Sequence, residues 1–408
     1  MKQIVGNEIR RQMAGSSWIR KMFEKGIELK KQVGADNVFD FSLGNPDIPP
    51  PAKLKDAMIR LADEAVKPMG VGYCPNSGYP PFRAALAEHL ARQQNVDLKP
   101  ENVIVTCGAA GALTSFFRAI IEPGDEVIVP APYFVEYGSY CGHFGGVLKP
   151  IPSKSPDFTP DFDAIAAAIT DKTRVLLFNS PNNPTGAVYS RETVERLAAL
   201  VDDANAKRDK AIFLVADEPY RFLAYDGAEV SPVLPLSPYA LVMGSFSKNL
   251  SFAGERIGFV AMSPEMPDAA LLASAIAMTV RTLGFVNAPI LGQKLAMDLL
   301  GESADRSVYD RRRDMMCAVL DGAGIKYCRP KGAFYFFPEA PGGDDIAFVD
   351  ALLAENILAV PGSGFGMKGH FRLSFSVEDR VITGSAEGFK RAAAKFGRAA
   401  CPQAAAAR

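Results

Sequence analysis

Six short apolar runs punctuate the first two thirds of the chain, at 102–106 (Asn-Val-Ile-Val-Thr), 126–129, 174–178, 211–216, 241–244 and 257–262. Each has the length and the bounding turns of a buried strand. Between some of them the apolar positions widen to helical spacing, as over 190–207 and from the turn Cys107-Gly108-Ala109-Ala110-Gly111 to about residue 120. Strands alternating with helices predict an α/β fold built on a mainly parallel sheet. In such sheets ligands bind in the crevice at the carboxyl ends of the strands.

The pattern changes after Asn287-Ala288-Pro289. A long amphipathic helix over about 290–320 and two apolar segments, 332–337 and 371–376, predict a smaller α+β domain. The opening helix, about 17–33, and Phe39–Gly44 are expected to return to it. The expected division is therefore 45–290 for the large domain, 1–44 plus 291–395 for the small one, and 396–408 as a flexible alanine-rich tail.

Composition narrows the function. Of 408 residues, 45 are basic and 46 acidic, so no global field favours nucleic acid or an anionic membrane. Charges interrupt the N-terminal region before any apolar core of a secretory signal can form, and a cytoplasmic location is expected. Six cysteines show no CxxC pair, which predicts reduced, mostly buried thiols. Three scattered histidines offer no zinc spacing. Gly364-Phe365-Gly366-Met367-Lys368-Gly369 matches GxGxxG, but a strand-like segment follows instead of a helix, so dinucleotide binding is not expected.

The polar residues that close the apolar runs carry the chemistry. Asp217 ends the run Ala211–Ala216, where a partly desolvated carboxylate needs a cationic partner such as a protonated pyridine nitrogen; capping a helix is the competing role. Lys248, in Ser245-Phe246-Ser247-Lys248, is a candidate nucleophilic amine. Ser245, Ser247 and Arg256 supply donors for a phosphate. Gly108 and Ala109 open a helix whose N–H groups form a second anion contact. Asn183 and Tyr220 could both bond a ring oxygen, although Asn182-Asn183-Pro184-Thr185-Gly186 is also a good turn sequence. Phe134, just beyond a strand end, could stack on a heteroaromatic ring or belong to the core. Arg372, inside the apolar segment Phe371–Phe375, needs an anion: a substrate carboxylate or a structural partner.

These motifs, in this order and spacing, resemble the class I/II aminotransferases, pyridoxal-phosphate (PLP) enzymes of the aspartate aminotransferase fold (PLP fold type I), from about Asp40 to Phe375. The resemblance implies that Lys248 binds the cofactor aldehyde covalently, Asp217 pairs with the ring nitrogen, and Asn183 and Tyr220 contact the ring oxygen. Lys248, Asp217 and Tyr220 are then the catalytic residues. Phosphate goes to Gly108, Ala109, Ser245, Ser247 and Arg256, and Phe134 takes the stacking position. Gly44, Asn183 and Arg372 bind substrate. Tyr73 resembles a tyrosine that reaches the phosphate in a neighbouring subunit, which implies a homodimer. Ser16, Ser17 and Trp18 are expected beside the pocket, and Phe334 and Tyr335 in its lining or in the core. Ala110, at a place where some aspartate-specific relatives carry lysine, weighs against aspartate, while Arg281 is a vote for a dicarboxylate. The implied reaction moves an amino group between an L-amino acid and a 2-oxo acid by double displacement. A PLP-dependent carbon–sulfur β-lyase shares the same anchor, and a non-enzymatic PLP-binding regulator is a further alternative.

Overall fold

The computed structural model describes residues 4–14 and 18–396, and the chain separates into two compact units. The larger comprises Asn45–Val308 and Pro330–Ala333. The smaller comprises the chain up to Gly44, Tyr309–Arg329 and the residues from Phe334 onward. Among the described residues, no helix is long and apolar enough to cross a membrane.

The larger unit is built on seven strands: β1 (Val103–Thr106), β2 (Glu126–Ala131), β3 (Val147–Pro152), β4 (Thr173–Asn179), β5 (Phe213–Asp217), β6 (Ala240–Ser245) and β7 (Gly258–Met262). Their spatial order is β1-β7-β6-β5-β4-β2-β3. The pairs from β6 to β3 are parallel, and β7 runs antiparallel to both of its neighbours. Alternate residues of the inner strands enter two separate cores: Leu214, Ala216 and Val242 on one face, Val215, Leu241 and Met243 on the other. A strand buried on both faces must be apolar at every position, which is why these strands read as unbroken runs.

The sequence gives no comparable run for β3. That strand has one neighbour only and is largely half-exposed, and Lys149, Pro150 and Pro152 interrupt its apolar residues. The helix at 190–207 forms as Arg191–Asn205, capped by Ser190, whose side chain accepts a hydrogen bond from Thr193 N–H.

Two expectations about the second part of the chain need correction. The helix over 290–320 is two helices, Ile290–Asp298 and Arg306–Gly322. The break contains Gly301 at φ 87°, and Asp305 accepts hydrogen bonds from the backbone and hydroxyl of Ser307 to start the second helix. Ile290–Asp298 packs on the helices Lys53–Ala65 and Pro80–Gln94, so the chain leaves the larger unit after Val308 and not at 291.

In the smaller unit, helices Trp18–Val33, Arg306–Gly322 (from Tyr309), Asp345–Leu353 and Asp379–Ala394 accompany short strands. Phe39–Asp40 pairs with Ile357–Leu358, and Phe371–Ser374 lies between Val360–Pro361 and Tyr335–Phe336. The segment 332–337 is thus strand only at Tyr335–Phe336. Ser16, Ser17 and the expected tail from residue 397 lie outside the described residues.

Candidate active site

Strand register assembles the site in the larger unit. Gly258, the first residue of β7, pairs with Thr106 at the end of β1 and with Ser245 at the end of β6. Because β7 is antiparallel, its start lies where its neighbours finish. That brings Arg256, the turn at Gly108 and the Ser245–Lys248 turn to one rim of the sheet. A side chain at Gly108, where φ is 73°, would stand 2.6 Å from Nη2 of Arg256. The Thr106 hydroxyl donates to the Gly108 carbonyl at 3.0 Å and fixes the turn. The helix Gly108–Ile120 starts here, with its first N–H groups unused by the helix itself. Arg256 is exposed, and Ser247 is buried in the turn that follows β6.

One strand further along the rim, Asp217 ends β5 beside Asn179 of β4 and Met243 of β6. Its Oδ2 accepts a 2.5 Å hydrogen bond from the Tyr137 hydroxyl, whereas its buried Oδ1 has no hydrogen-bond partner among the described residues. Burial raises the Asp217 pKa to about 7, with Tyr137 opposing the shift and Glu218 adding to it. Tyr137 is itself fully buried, and burial followed by the Asp217 charge pushes its pKa up. No helix follows Asp217 directly, so it is not a helix cap. Glu218 is held apart, paired with Arg221 at 2.9 Å and bonded by the Gln94 side chain.

Asn179 links two site segments: its Nδ2 donates to the Asp217 carbonyl at 2.7 Å, and its Oδ1 accepts from Asn183 N–H at 2.6 Å. Asn182 binds the backbone and hydroxyl of Thr185, so the Asn-Asn-Pro-Thr-Gly segment is also a stable turn. Tyr220 is buried and near enough to Tyr137 to influence its titration. Phe134 is partly buried, with its ring centroid 5.5 Å from that of Tyr137.

Tyr137 and Asn179 are positioning residues that the sequence reading missed. For Asn179 a signal existed, a polar residue closing the run 174–178; Tyr137 sits beyond β2 with nothing local to distinguish it. Tyr73 is 84% exposed, and Arg281 is exposed at the end of the helix Ala269–Thr282.

Gly44 and Arg372 both neighbour Tyr335 in the smaller unit. Arg372 is 2% exposed, its Nη2 donates to the Ser42 carbonyl, and its guanidinium carbon lies 4.8 Å from the ring centroids of both Tyr335 and Phe365. A side chain on Gly44 would collide with the Tyr335 hydroxyl. Phe334 and Tyr335 are both core residues.

The residues of the larger unit fit pyridoxal phosphate. A buried carboxylate oxygen lacking a donor suits a protonated ring nitrogen, and a glycine helix start facing an arginine suits a phosphate. Fold and site together define a PLP-dependent enzyme. The chain matches Aminotransferase class I and II over residues 36–387 and belongs to that family.

It is 36% identical over 375 residues to the aspartate/prephenate aminotransferase of Thermus thermophilus, covering 90% of this chain and 93% of that protein. An aspartate aminotransferase of Bacillus sp. (strain YM-2) is 31% identical over 405 residues, 96% of this chain and 99% of that one. The crystal structure of an aminotransferase from Eubacterium rectale matches with a TM-score of 0.92 at 37% identity, covering 97% of this chain and all of that one. The chain is therefore an aminotransferase acting on small molecules with pyridoxal phosphate as cofactor.

Proposed function

We propose that the enzyme moves an amino group from an L-amino acid to a 2-oxo acid by double displacement, with Lys248, Asp217 and Tyr220 as its catalytic residues. The observation that carries this assignment is the buried Asp217 Oδ1, left without a partner on the rim that also holds Lys248. When bound, the cofactor supplies an electron-withdrawing ring that takes up the electron pair left at the substrate α-carbon. Asp217 pairs with the ring nitrogen and favours its protonated form. Asn183 and Tyr220 bond the ring oxygen, and Phe134 stacks on the ring. Gly108, Ala109, Ser245, Ser247 and Arg256 hold the phosphate. Lys248 would hold the aldehyde until the substrate amine displaces it, and its freed Nζ would then serve as the base that takes the α-proton of the amino acid. Asn183 in the larger unit is assigned a substrate contact, and Gly44 and Arg372 are assigned the substrate carboxylate in the smaller unit, each by itself.

The same reading makes the enzyme a homodimer, with Tyr73 donating to the phosphate in the second copy. Exposed apolar residues around Tyr73 support it. We also divide the chain functionally at the unit boundary, with cofactor binding in the larger unit and substrate-carboxylate binding in the smaller. A cytoplasmic location is supported by Cys74, Cys107, Cys141 and Cys317, none of which is in a disulfide. The relatives' names make aspartate the first amino donor to test and prephenate the first acceptor; Ala110 weighs against aspartate and Arg281 for a dicarboxylate.

Initial rates at several fixed acceptor concentrations should give parallel double-reciprocal lines, and intersecting lines would overturn double displacement. Borohydride reduction of the holoenzyme, followed by digestion, should leave the cofactor on the peptide containing Lys248. Label on another lysine would overturn the assignment of the anchor.

A further inference from the structure

Two buried carboxylates follow one another at the end of β5, and the proposed chemistry uses only the first. Successive residues of a strand face opposite sides of the sheet. Asp217 follows Val215 toward Tyr137, whereas Glu218 follows Leu214 and Ala216 to the face covered by the helix Pro80–Gln94. The Glu218 N–H donates to the Met243 carbonyl at 2.7 Å, which extends the pairing with β6 one residue beyond Asp217.

Both oxygens of Glu218 are held. Arg221 Nη1 donates to Oε1 at 3.0 Å and to Oε2 at 2.9 Å, and Gln94 Nε2 donates to Oε2 at 3.2 Å. Arg221 Nη2 donates in addition to the carbonyls of Gln93 and Val230, both at 2.9 Å, so the cation closes a helix end whose last carbonyls have no partner within the helix. Gln94 is fully buried and accepts from Val233 N–H at 2.7 Å. Adjacent buried carboxylates are costly. Burial raises the pKa of Glu218, with Arg221 opposing, and the Glu218 charge adds to the rise at Asp217. An amide at residue 218 would join the same groups without putting a negative charge behind Asp217. That charge favours a cation at Oδ1 of Asp217, the oxygen that lacks a partner among the described residues.

We propose that Glu218 is a positioning residue that acts through Asp217: clamped by Arg221 and Gln94, it fixes the end of β5 from the face opposite Tyr137 and sets a second negative charge behind the carboxylate that meets the protonated ring nitrogen. This rests on the reading of Asp217 as the partner of that nitrogen.

The test uses the full chain freed of cofactor. Equilibrium dialysis reads the Kd of pyridoxamine phosphate, which binds without a bond to Lys248, and of its deaza analogue, in which a carbon replaces the ring nitrogen. Glu218→Gln keeps an acceptor for Arg221 but not the charge. It is expected to raise the Kd of pyridoxamine phosphate about tenfold, the low end of what a hydrogen bond to a charged group is worth. The Kd of the deaza analogue should change less than about twofold. Added to Asp217→Asn, where no carboxylate remains to be positioned, Glu218→Gln should likewise leave the Kd of pyridoxamine phosphate within about twofold. If Glu218→Gln does not fold, Arg221→Lys, which keeps the cation and gives up the planar fork, must show the same selective loss. An unchanged Kd for pyridoxamine phosphate overturns the proposal, and so does an equal loss for both ligands or in both backgrounds, since that is the mark of weakened packing alone. Asp217→Asn by itself separates the two levels. If it binds pyridoxamine phosphate as tightly as wild type, the ring-nitrogen partner is misassigned. If it loses binding while Glu218→Gln does not, only the role of Glu218 fails.

Discussion

Asp217 carries an unusual burden because its carboxyl is buried with one oxygen unbonded. Without cofactor, its pKa of about 7 stands above the ordinary 3.8, mainly because burial disfavours the charge. Between these values the folded chain holds a proton that the unfolded chain has released, so this residue's contribution to stability falls as pH rises from about 4 to 7 and then levels off. Asp217→Asn removes that penalty. The cofactor-free variant should melt above the cofactor-free wild type at pH 8, with a gain approaching about 4 kcal/mol at most, and the gap should nearly close at pH 4. A gap independent of pH would contradict the buried, partnerless oxygen. Tyr137→Phe tests the other oxygen. Losing a hydrogen bond to a charged group costs about 1.5–3 kcal/mol, so kcat should fall roughly ten- to a hundredfold with KM little changed. The place of Asp217 at a strand end was legible because it closes an apolar run, and that of the Ser245–Lys248 turn for the same reason. Tyr137 was not, since what marks it is a bond to a residue eighty positions away.

At the scale of elements, legibility followed burial. The six strands with long apolar runs could be read within a residue or two, while β3 could not, because one side of it is open and its prolines hide it. The two helices after residue 289 share an apolar pattern, so only the local turn chemistry at Gly301 and Asp305 separates them. Register within the sheet was beyond the sequence, yet register is what gathers the residues proposed to hold the phosphate. Gly258 is the pivot of that arrangement: a side chain there would stand 2.4 Å from the Gly108 carbonyl carbon and 2.7 Å from the Gly244 carbonyl oxygen. Both are backbone atoms that cannot rotate away. Gly258→Ala should therefore cost about 1–3 kcal/mol of stability and displace the helix start from Arg256. Cofactor affinity, measured by equilibrium dialysis, should drop along with the melting temperature. A variant that melts normally and retains cofactor would show that β1 and β6 can separate there without consequence.

At the scale of the molecule, several strongly exposed apolar residues lie close together in the sequence. Met58 and Ile59 project from the helix Lys53–Ala65, and Val66, Met69, Val71 and Tyr73 follow within sixteen residues, with Val66 85% and Met69 78% exposed. Asn76 bonds the Val286 carbonyl at 2.6 Å, which joins the exposed Phe285 and Val286 to the same surface. A patch of this kind on a monomer marks a surface for association. Under the proposed dimer, a second copy would cover this surface and give the exposed Tyr73 phenol a role. The chain should run in light scattering at about 88 kDa, twice its 43.9 kDa. Replacing Met69 and Val71 together by glutamate puts two uncompensated charges into the contact, which should yield a 43.9 kDa species. Tyr73→Phe removes one hydroxyl and no apolar surface, so it should remain dimeric while its cofactor affinity falls about tenfold or more, as expected for a lost hydrogen bond to a phosphate. The two variants separate assembly from ligation. If the glutamate variant is monomeric but holds cofactor as tightly as wild type, Tyr73 serves its own chain or none. If Tyr73→Phe alone dissociates the particle, the phenol is an interface contact and the phosphate has no need of it.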